Sequence, residues 1–361
     1  MESFFSNALK AWALEGNGRA MPWRGERDPY RIWLSEVILQ QTRVEQGMPY
    51  YLKFIQAYPD VNSLSGAREE EVLVLWQGLG YYSRCRNLVA AARRIATRYG
   101  GKFPERYADI LSLPGVGTYT AAAIASFAFG LPHAVVDGNV VRVLARFFGI
   151  ALPPGSAEGK AAFGGLADRL LDRKAPGLYN QALMDFGAQV CTPRLPSCPD
   201  CPMQNQCVAF QSGRTSLLPV RDPGPKVMDR YFHYLVIQVR DKVYIQKRTQ
   251  RDIWEHLYEF PLIETDQPLT PGKLFRSMEF HNLLRGSDFR VVETSKAPVR
   301  KLTHRRIHGT FTRILAKEPP GPLAGHLLVP ITDLSLYAFP SLIVSFLQGN
   351  HLTLLGAIAG S

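Results

Sequence analysis

The chain is 361 residues long, 46% hydrophobic and 20% charged, which is enough apolar material for two packed cores and excludes an intrinsically disordered polypeptide. No stretch reaches the roughly eighteen apolar residues of a membrane span, and the start, MESFFSNALKAWALEG, has neither a basic n-region nor a small-residue cleavage site, so a bacterial cytoplasmic setting is expected. The formal charge of +11 is shared as +5 over residues 1–220 (23 Lys+Arg against 18 Asp+Glu) and +6 over residues 221–361 (19 against 13), which suits a polyanion such as DNA.

In chain order, apolar residues recur at three- and four-residue spacing in YRIWLSEVIL, EEEVLVLWQGLG, RNLVAAARRIATRYG and TAAAIASFAFG. This period predicts a helical first domain over residues 1–211. In the first of these segments Glu36 has Ile32, Trp33, Leu39 and Gln40 as its neighbours at helical spacing. A carboxyl in such company has its charged form disfavoured and its pKa raised. It could then stay protonated at neutral pH and act as a general acid. On a solvent-facing helix the same residue would carry no such role.

In ILSLPGVGTYTAAAI a short helix is expected to end near Leu113, followed by a tight hairpin over Pro114–Gly117 and a second helix capped by Thr118. Gly115 and Gly117 leave backbone N–H groups bare and let a phosphate approach. This is a helix-hairpin-helix pattern, which holds DNA by its backbone, although a glycine-rich turn between core helices has the same sequence. Asp137, in VVDGNVVRVL, precedes an amphipathic helix. It can serve as N-cap, as a carboxylate at the mouth of a cleft, or as both.

Residues 191–207, CTPRLPSCPDCPMQNQC, hold Cys191, Cys198, Cys201 and Cys207; the only other cysteine is Cys85. Such clustering is not a disulfide framework. Four thiolates suit structural zinc or an iron–sulfur cluster, and the six-two-five spacing leaves both open. Four prolines in CTPRLPSCPDCP prevent a regular helix, so a metal is the natural way to order the loop. Residues 212–229 are polar and proline-rich and read as a linker. Beyond them YFHYLVIQVRDKVYIQKR alternates around an Arg-Asp-Lys turn, which predicts a β-hairpin within a mixed α/β domain over residues 230–350.

Together, PWRGERDPYRIWLSEVILQQTRV, WQGLGYYSRCRNL, LPGVGTYTAAAI, VDGNVVRVL and the cysteine loop resemble the adenine DNA glycosylase family, in that family's order and over about residues 5–210. The resemblance implies a mainly α helix-hairpin-helix glycosylase fold with an iron–sulfur cluster loop, followed by an α+β Nudix-like domain. It implies a [4Fe–4S] cluster on the four cysteines. It implies that Glu36 protonates adenine N7, that Asp137 stabilises the sugar cation, and that Tyr119 and Asn139 position them. Arg24, Gln41, Thr42, Tyr81, Gly115 and Gly117 are implied as DNA contacts, with Gln41 and Tyr81 entering the stack and Tyr82 a rival for the latter role. The implied partner is duplex DNA carrying adenine opposite 8-oxoguanine, bound by a nucleoid-associated monomer.

Lyase-active relatives carry a lysine where this chain has Tyr119, and a phenol forms no Schiff base. A monofunctional glycosylase is therefore expected, with an endonuclease III-like glycosylase/lyase acting on oxidised pyrimidines as the alternative. The segment IWEHLYEFPLIE is similar to the family's C-terminal domain, and no acidic Nudix box follows it. The family's Phe-Ser-His element is matched by Leu302-Thr303-His304 in KLTHRRIHGTF, which places Thr303 and His304 at the oxidised guanine.

Overall fold

The computed structural model describes residues 1–16, 21, 23–220, 224 and 227–349. The helices are α1 (Glu2–Leu14), α2 (Pro29–Leu39), α3 (Val44–Ala57), α4 (Val61–Gly66), α5 (Glu69–Trp76), α6 (Tyr82–Tyr99), α7 (Tyr107–Leu111), α8 (Thr118–Phe129), α9 (Gly138–Phe148), α10 (Ala157–Leu170), α11 (Pro176–Gln189), α12 (Val208–Gln211), α13 (Pro271–Phe275), α14 (Met278–Leu283) and α15 (Ser341–Gln348). The strands are β1 (Met228–Val239), β2 (Lys242–Lys247), β3 (Tyr258–Glu259), β4 (Leu262–Thr265), β5 (Phe289–Lys296), β6 (Arg300–Lys301), β7 (Arg305–Ala316) and β8 (Leu327–Pro330). No described helix is long and apolar enough to cross a membrane.

Two compact units result. One comprises residues 1–66 with 87–223, the other residues 67–86 with 224–361. A short segment lying well inside the helical half of the sequence therefore belongs to the sheet unit. Within the stretch expected to be a linker, Leu218 is buried in the helical unit's core, while residues 221–223 and 225–226 lie outside the described residues.

Local sequence explains the helix ends that matter. Asp28 caps α2 by accepting from the Tyr30 N–H at 2.9 Å, and Pro29 at the first helical position gives up no needed donor. Thr118 is not the cap of α8. It is the first helical residue, and Gly117 occupies the cap position with no side chain closing the helix end. The hairpin delivers the chain to the helix through Gly115, at φ +72, where a Cβ would stand 2.6 Å from Asn87 Cβ. The first N–H groups of α8 thus have no capping side chain. At α9 the cap is Asp137, and Gly149 ends the helix in the left-handed region.

The core of the helical unit gathers α1, α8, α9, α10 and α11, with Phe5, Phe147, Phe163 and Phe186 fully buried. Helices α9 and α11 approach closely because Gly187 lacks a side chain: a Cβ there would lie 2.8 Å from Asn139 Cβ and 2.9 Å from its carbonyl oxygen.

In the sheet unit β1 runs parallel to β7, and the strand order is β3-β2-β1-β7-β5. The expected hairpin is present, with Val239 paired to Lys242 across Arg240 and Asp241. Alternation assigns Phe232, Tyr234 and Val236 to one core and Leu235, Ile237 and Val239 to the other. The first core includes residues of α15, where Phe346 stacks on Phe311 at 4.1 Å; the second includes residues of α13 and α14. Both faces of β1 are buried from Phe232 to Val239, which is why that part of its sequence is mostly apolar.

Gly187→Ala is expected to lower the stability of the helical unit by about 1–3 kcal/mol through overpacking against the Asn139 backbone, read from the urea midpoint at constant m.

Candidate active site and nucleic-acid interface

Helix α2 carries Glu36 inward, where only 8% of it is exposed. Tyr119, in the first turn of α8, donates its hydroxyl to Glu36 Oε2 at 2.6 Å. Burial pushes the Glu36 carboxyl up to about 7; the Tyr119 hydrogen bond opposes that rise and the nearby Asp137 charge adds to it.

Asp137 is the cap of α9 and also lines the cavity described below. Its Oδ1 accepts from the Val140 N–H at 2.7 Å as a helix cap, and its Oδ2 accepts from Asn139 Nδ2 at 2.7 Å. Burial pushes its pKa up, while these bonds, the Asn139 N–H and the Arg142 charge pull it back. Asn139 is itself held, since Arg142 Nη2 donates to its Oδ1 at 2.8 Å. The same guanidinium donates to Gly187 O at 2.7 Å and through Nε to Cys191 O at 2.6 Å.

Glu36, Tyr119, Asp137, Asn139, Gln41 and Thr42 line one cavity of 320 Å³, within the size range of small-molecule sites at about 300–1,000 Å³. Its apolar lining comes from Met21, Trp23, Leu39, Val44 and Met184, with Gln181 a further polar group. Sequence reasoning did not find Gln181 or Arg142. Gln181 and Met184 fall three apart on α11, but nothing in the sequence says which helix α11 faces. Gln41 is exposed with a left-handed backbone, at φ +57. Arg24 lies beside this wall and pairs with the buried Asp185 at 3.1 Å, an anchor that the motif alone does not reveal.

The cysteine loop rests on α9. Arg146 donates to Thr192 O at 2.7 Å, Pro193 O at 3.1 Å and Leu218 O at 3.0 Å, and stands 3.4 Å from Cys191 Sγ. The Cys201 thiol is pushed up to about 11 by burial and by the charges of Cys191, Cys207 and Cys198. Among the described residues no group of three or more His, Cys, Asp or Glu side chains closes to the geometry of a single bound ion. The loop nonetheless supplies four cysteine thiols beside the buried Arg142 and Arg146, a donor chemistry that suits an anionic thiolate-ligated cluster.

In the sheet unit Tyr81 is 48% exposed at φ +48, whereas Tyr82 is buried with its hydroxyl on Phe339 O at 3.2 Å. Of the two, only Tyr81 presents its ring at the surface. Its hydroxyl lies 3.4 Å from Thr303 Oγ1. Thr303 and His304 are exposed in the turn between β6 and β7, and the His304 carbonyl accepts from the Met228 N–H at 3.0 Å. The next residue, Arg305, pairs with Asp252, which also holds Arg230 at 2.7 Å.

Residues 34–161 match the model of the HhH-GPD superfamily of base excision DNA repair proteins, and residues 233–349 match that of the NUDIX domain. The adenine DNA glycosylase of Buchnera aphidicola (Schizaphis graminum) is 32% identical over 263 residues, covering 72% of this chain and 75% of that protein. The chain belongs to the adenine DNA glycosylase family. The mouse adenine DNA glycosylase is 44% identical over 230 residues, which are 60% of this chain and 44% of the mouse protein. Among solved structures, a thermostable thymine-DNA glycosylase matches 58% of this chain and 97% of its own, at 33% identity and TM-score 0.54. An endonuclease III–DNA complex matches at 19% identity and TM-score 0.51 over 59% of this chain and 98% of its own, which shows a shared fold. The family reading and the helix-hairpin-helix fold expected from the motifs are thus established.

Because the folded pKa of Glu36 lies above its unfolded value, the native chain binds the extra proton between the ordinary carboxyl value and about 7, so stability falls as pH rises through that window. Glu36→Gln is expected to remove this dependence and to exceed the wild type at pH 8 by roughly 2–3 kcal/mol. Urea unfolding at pH 5 and pH 8 measures both.

Proposed function

We propose that this chain is a monofunctional glycosylase that hydrolyses the N-glycosidic bond of adenine paired with 8-oxoguanine in duplex DNA. The observation that carries the reading is a buried Glu36, its carboxyl pushed up to about 7, and a hydrogen-bonded Asp137 lining one cavity of 320 Å³. A glycosidic bond inside the stack is out of reach, so the adenine is flipped into this cavity. The exposed Gln41 and Tyr81, each on a left-handed bend, fill the stack.

Tyr119 occupies Oε2 of Glu36, which leaves Oε1 to carry the proton to adenine N7. Adenine then departs as a neutral base. Asp137, whose charged form is favoured by the bonds from Asn139 and the Val140 N–H, stabilises the oxocarbenium-like sugar. Water adds to the sugar carbon and returns its proton to Glu36. No amine stands at the Tyr119 position, so the sugar is released as an abasic site with the strand intact. Cys191, Cys198, Cys201 and Cys207 would hold a [4Fe–4S] cluster, which orders the loop and takes no part in bond breaking. Gly115 and Gly117 present the hairpin amides to the phosphate backbone, and Thr303 and His304 read the oxidised guanine.

Single-turnover incubation with adenine opposite 8-oxoguanine tests the reading. Adenine release with strand cleavage only after alkali is expected. Asp137→Asn should bind the duplex but lose about three orders of magnitude or more in rate. Cleavage without alkali would point to a lyase. Release of thymine opposite guanine instead would favour the chemistry named for the thymine-DNA glycosylase relative. The pH profile supplies a second check. The acid form of Glu36 is required, so the rate falls as pH rises through about 7. Tyr119→Phe removes a bond that lowers the Glu36 pKa, so its alkaline limb should move to higher pH.

A further inference from the structure

Residues 67–86 are joined to the sheet by contacts that the base-release chemistry does not use. Arg86 grips Glu255 twice, through Nη1 on the backbone carbonyl at 2.7 Å and Nη2 on Oε2 at 2.7 Å. Lys247 of β2 donates to Glu70 Oε1 at 2.8 Å. His256 is bonded to Glu69. The Phe339 N–H donates to Gln77 Oε1 at 2.8 Å, and Tyr82 donates to the Phe339 carbonyl.

These contacts come from two regions of the sheet unit distant in sequence, residues 247–256 and Phe339, and they flank Tyr81 on both sides along the chain. The turn that supplies Glu255 and His256 is itself held in unusual backbone, with Trp254 at φ +60 and His256 at φ +68. Such a conformation persists where surrounding contacts over-determine it. Arg86, Glu255, Lys247 and Glu70 have side chains 20%, 22%, 30% and 36% exposed, so solvent screens these pairs only partly.

We propose that Arg86–Glu255 and Glu70–Lys247 are positioning contacts that determine specificity. They hold Tyr81 against Thr303, so the base opposite the excised adenine meets one rigid hydroxyl pair carried by the sheet unit. Without them the aromatic wedge and the reading turn act separately, and discrimination falls although Glu36 and Asp137 are untouched. This rests on the reading that 8-oxoguanine is the preferred opposite base.

The test uses the full chain and two duplexes, adenine opposite 8-oxoguanine and adenine opposite guanine. The quantity read is the ratio of the two single-turnover release rates. Glu70→Lys and Lys247→Glu should each lower that ratio about threefold or more, and the double exchange should restore it. Glu70→Gln and Lys247→Met introduce no repulsion and should also lower it; they serve where charge reversal unfolds the unit. Glu255→Ala should act in the same direction. A wild-type ratio near one overturns both this inference and the 8-oxoguanine reading. A wild-type ratio well above one that every single variant retains overturns this inference alone, as does a folded double exchange no better than its singles.

Discussion

The site depends on one buried guanidinium. Arg142 is 8% exposed, and its donors are spent on the Cys191 and Gly187 carbonyls, the Gly138 carbonyl and the Asn139 side chain. A charge taken out of water is tolerable only when its N–H groups are matched in this way. In return it fixes three things at once: the start of the cysteine loop, the packing of α9 on α11, and the orientation of Asn139. Through Asn139 it fixes the partner of Asp137 Oδ2, while the Val140 N–H holds Oδ1. Arg146, one turn later on α9, repeats the arrangement for the next two carbonyls of the loop. A loop with four prolines forms no regular ladder: its later carbonyls are met by turns within the loop, and those of Cys191, Thr192 and Pro193 are met from α9.

Much of this was legible in the chain. The apolar neighbours of Glu36 at helical spacing announced its burial and hence the direction of its pKa. Asp137 before an amphipathic helix announced a cap, and the strand alternation in YFHYLVIQV announced the sheet. What stayed hidden depends on contacts between distant segments. Spacing within α9 gives no sign that Arg142 turns toward Gly187, or that Gly187 is small to admit Asn139. The pair Tyr81–Tyr82 is ambiguous in sequence, and it is separated only by the fold, which buries Tyr82 with its hydroxyl on the Phe339 carbonyl and leaves Tyr81 exposed. Thr118 looks like a cap by residue type, yet the hairpin gives that position to Gly117.

The sheet unit concentrates its charge around the turn that presents Thr303 and His304. Asp252 gathers Arg230, Arg248 and Arg305, and Arg230 and Arg248 both lie against the Phe232 ring. This network makes the residue after His304 a fixed point, while the His304 carbonyl is pinned to β1. A short exposed turn thereby gains a defined backbone without a hydrophobic anchor beyond Leu302. The rigidity suits recognition, since little ordering remains to be done on binding.

The chain order of the two units has a consequence for how the protein can be divided. The sheet unit is discontinuous: residues 67–86 leave the helical unit, join the sheet and return. Helix α5 buries Val72, Leu73 and Trp76 and packs on residues 331–336. A single cut in the connecting stretch near residue 223 therefore does not separate two self-sufficient domains. It leaves the amino-terminal fragment with an apolar helix stripped of its partner, and it leaves Glu69, Glu70 and Arg86 without their side-chain partners. The carboxyl-terminal fragment loses part of its own surface with them. Transplanting the sheet unit onto another helical scaffold would require moving both pieces, and the shorter one carries Tyr81.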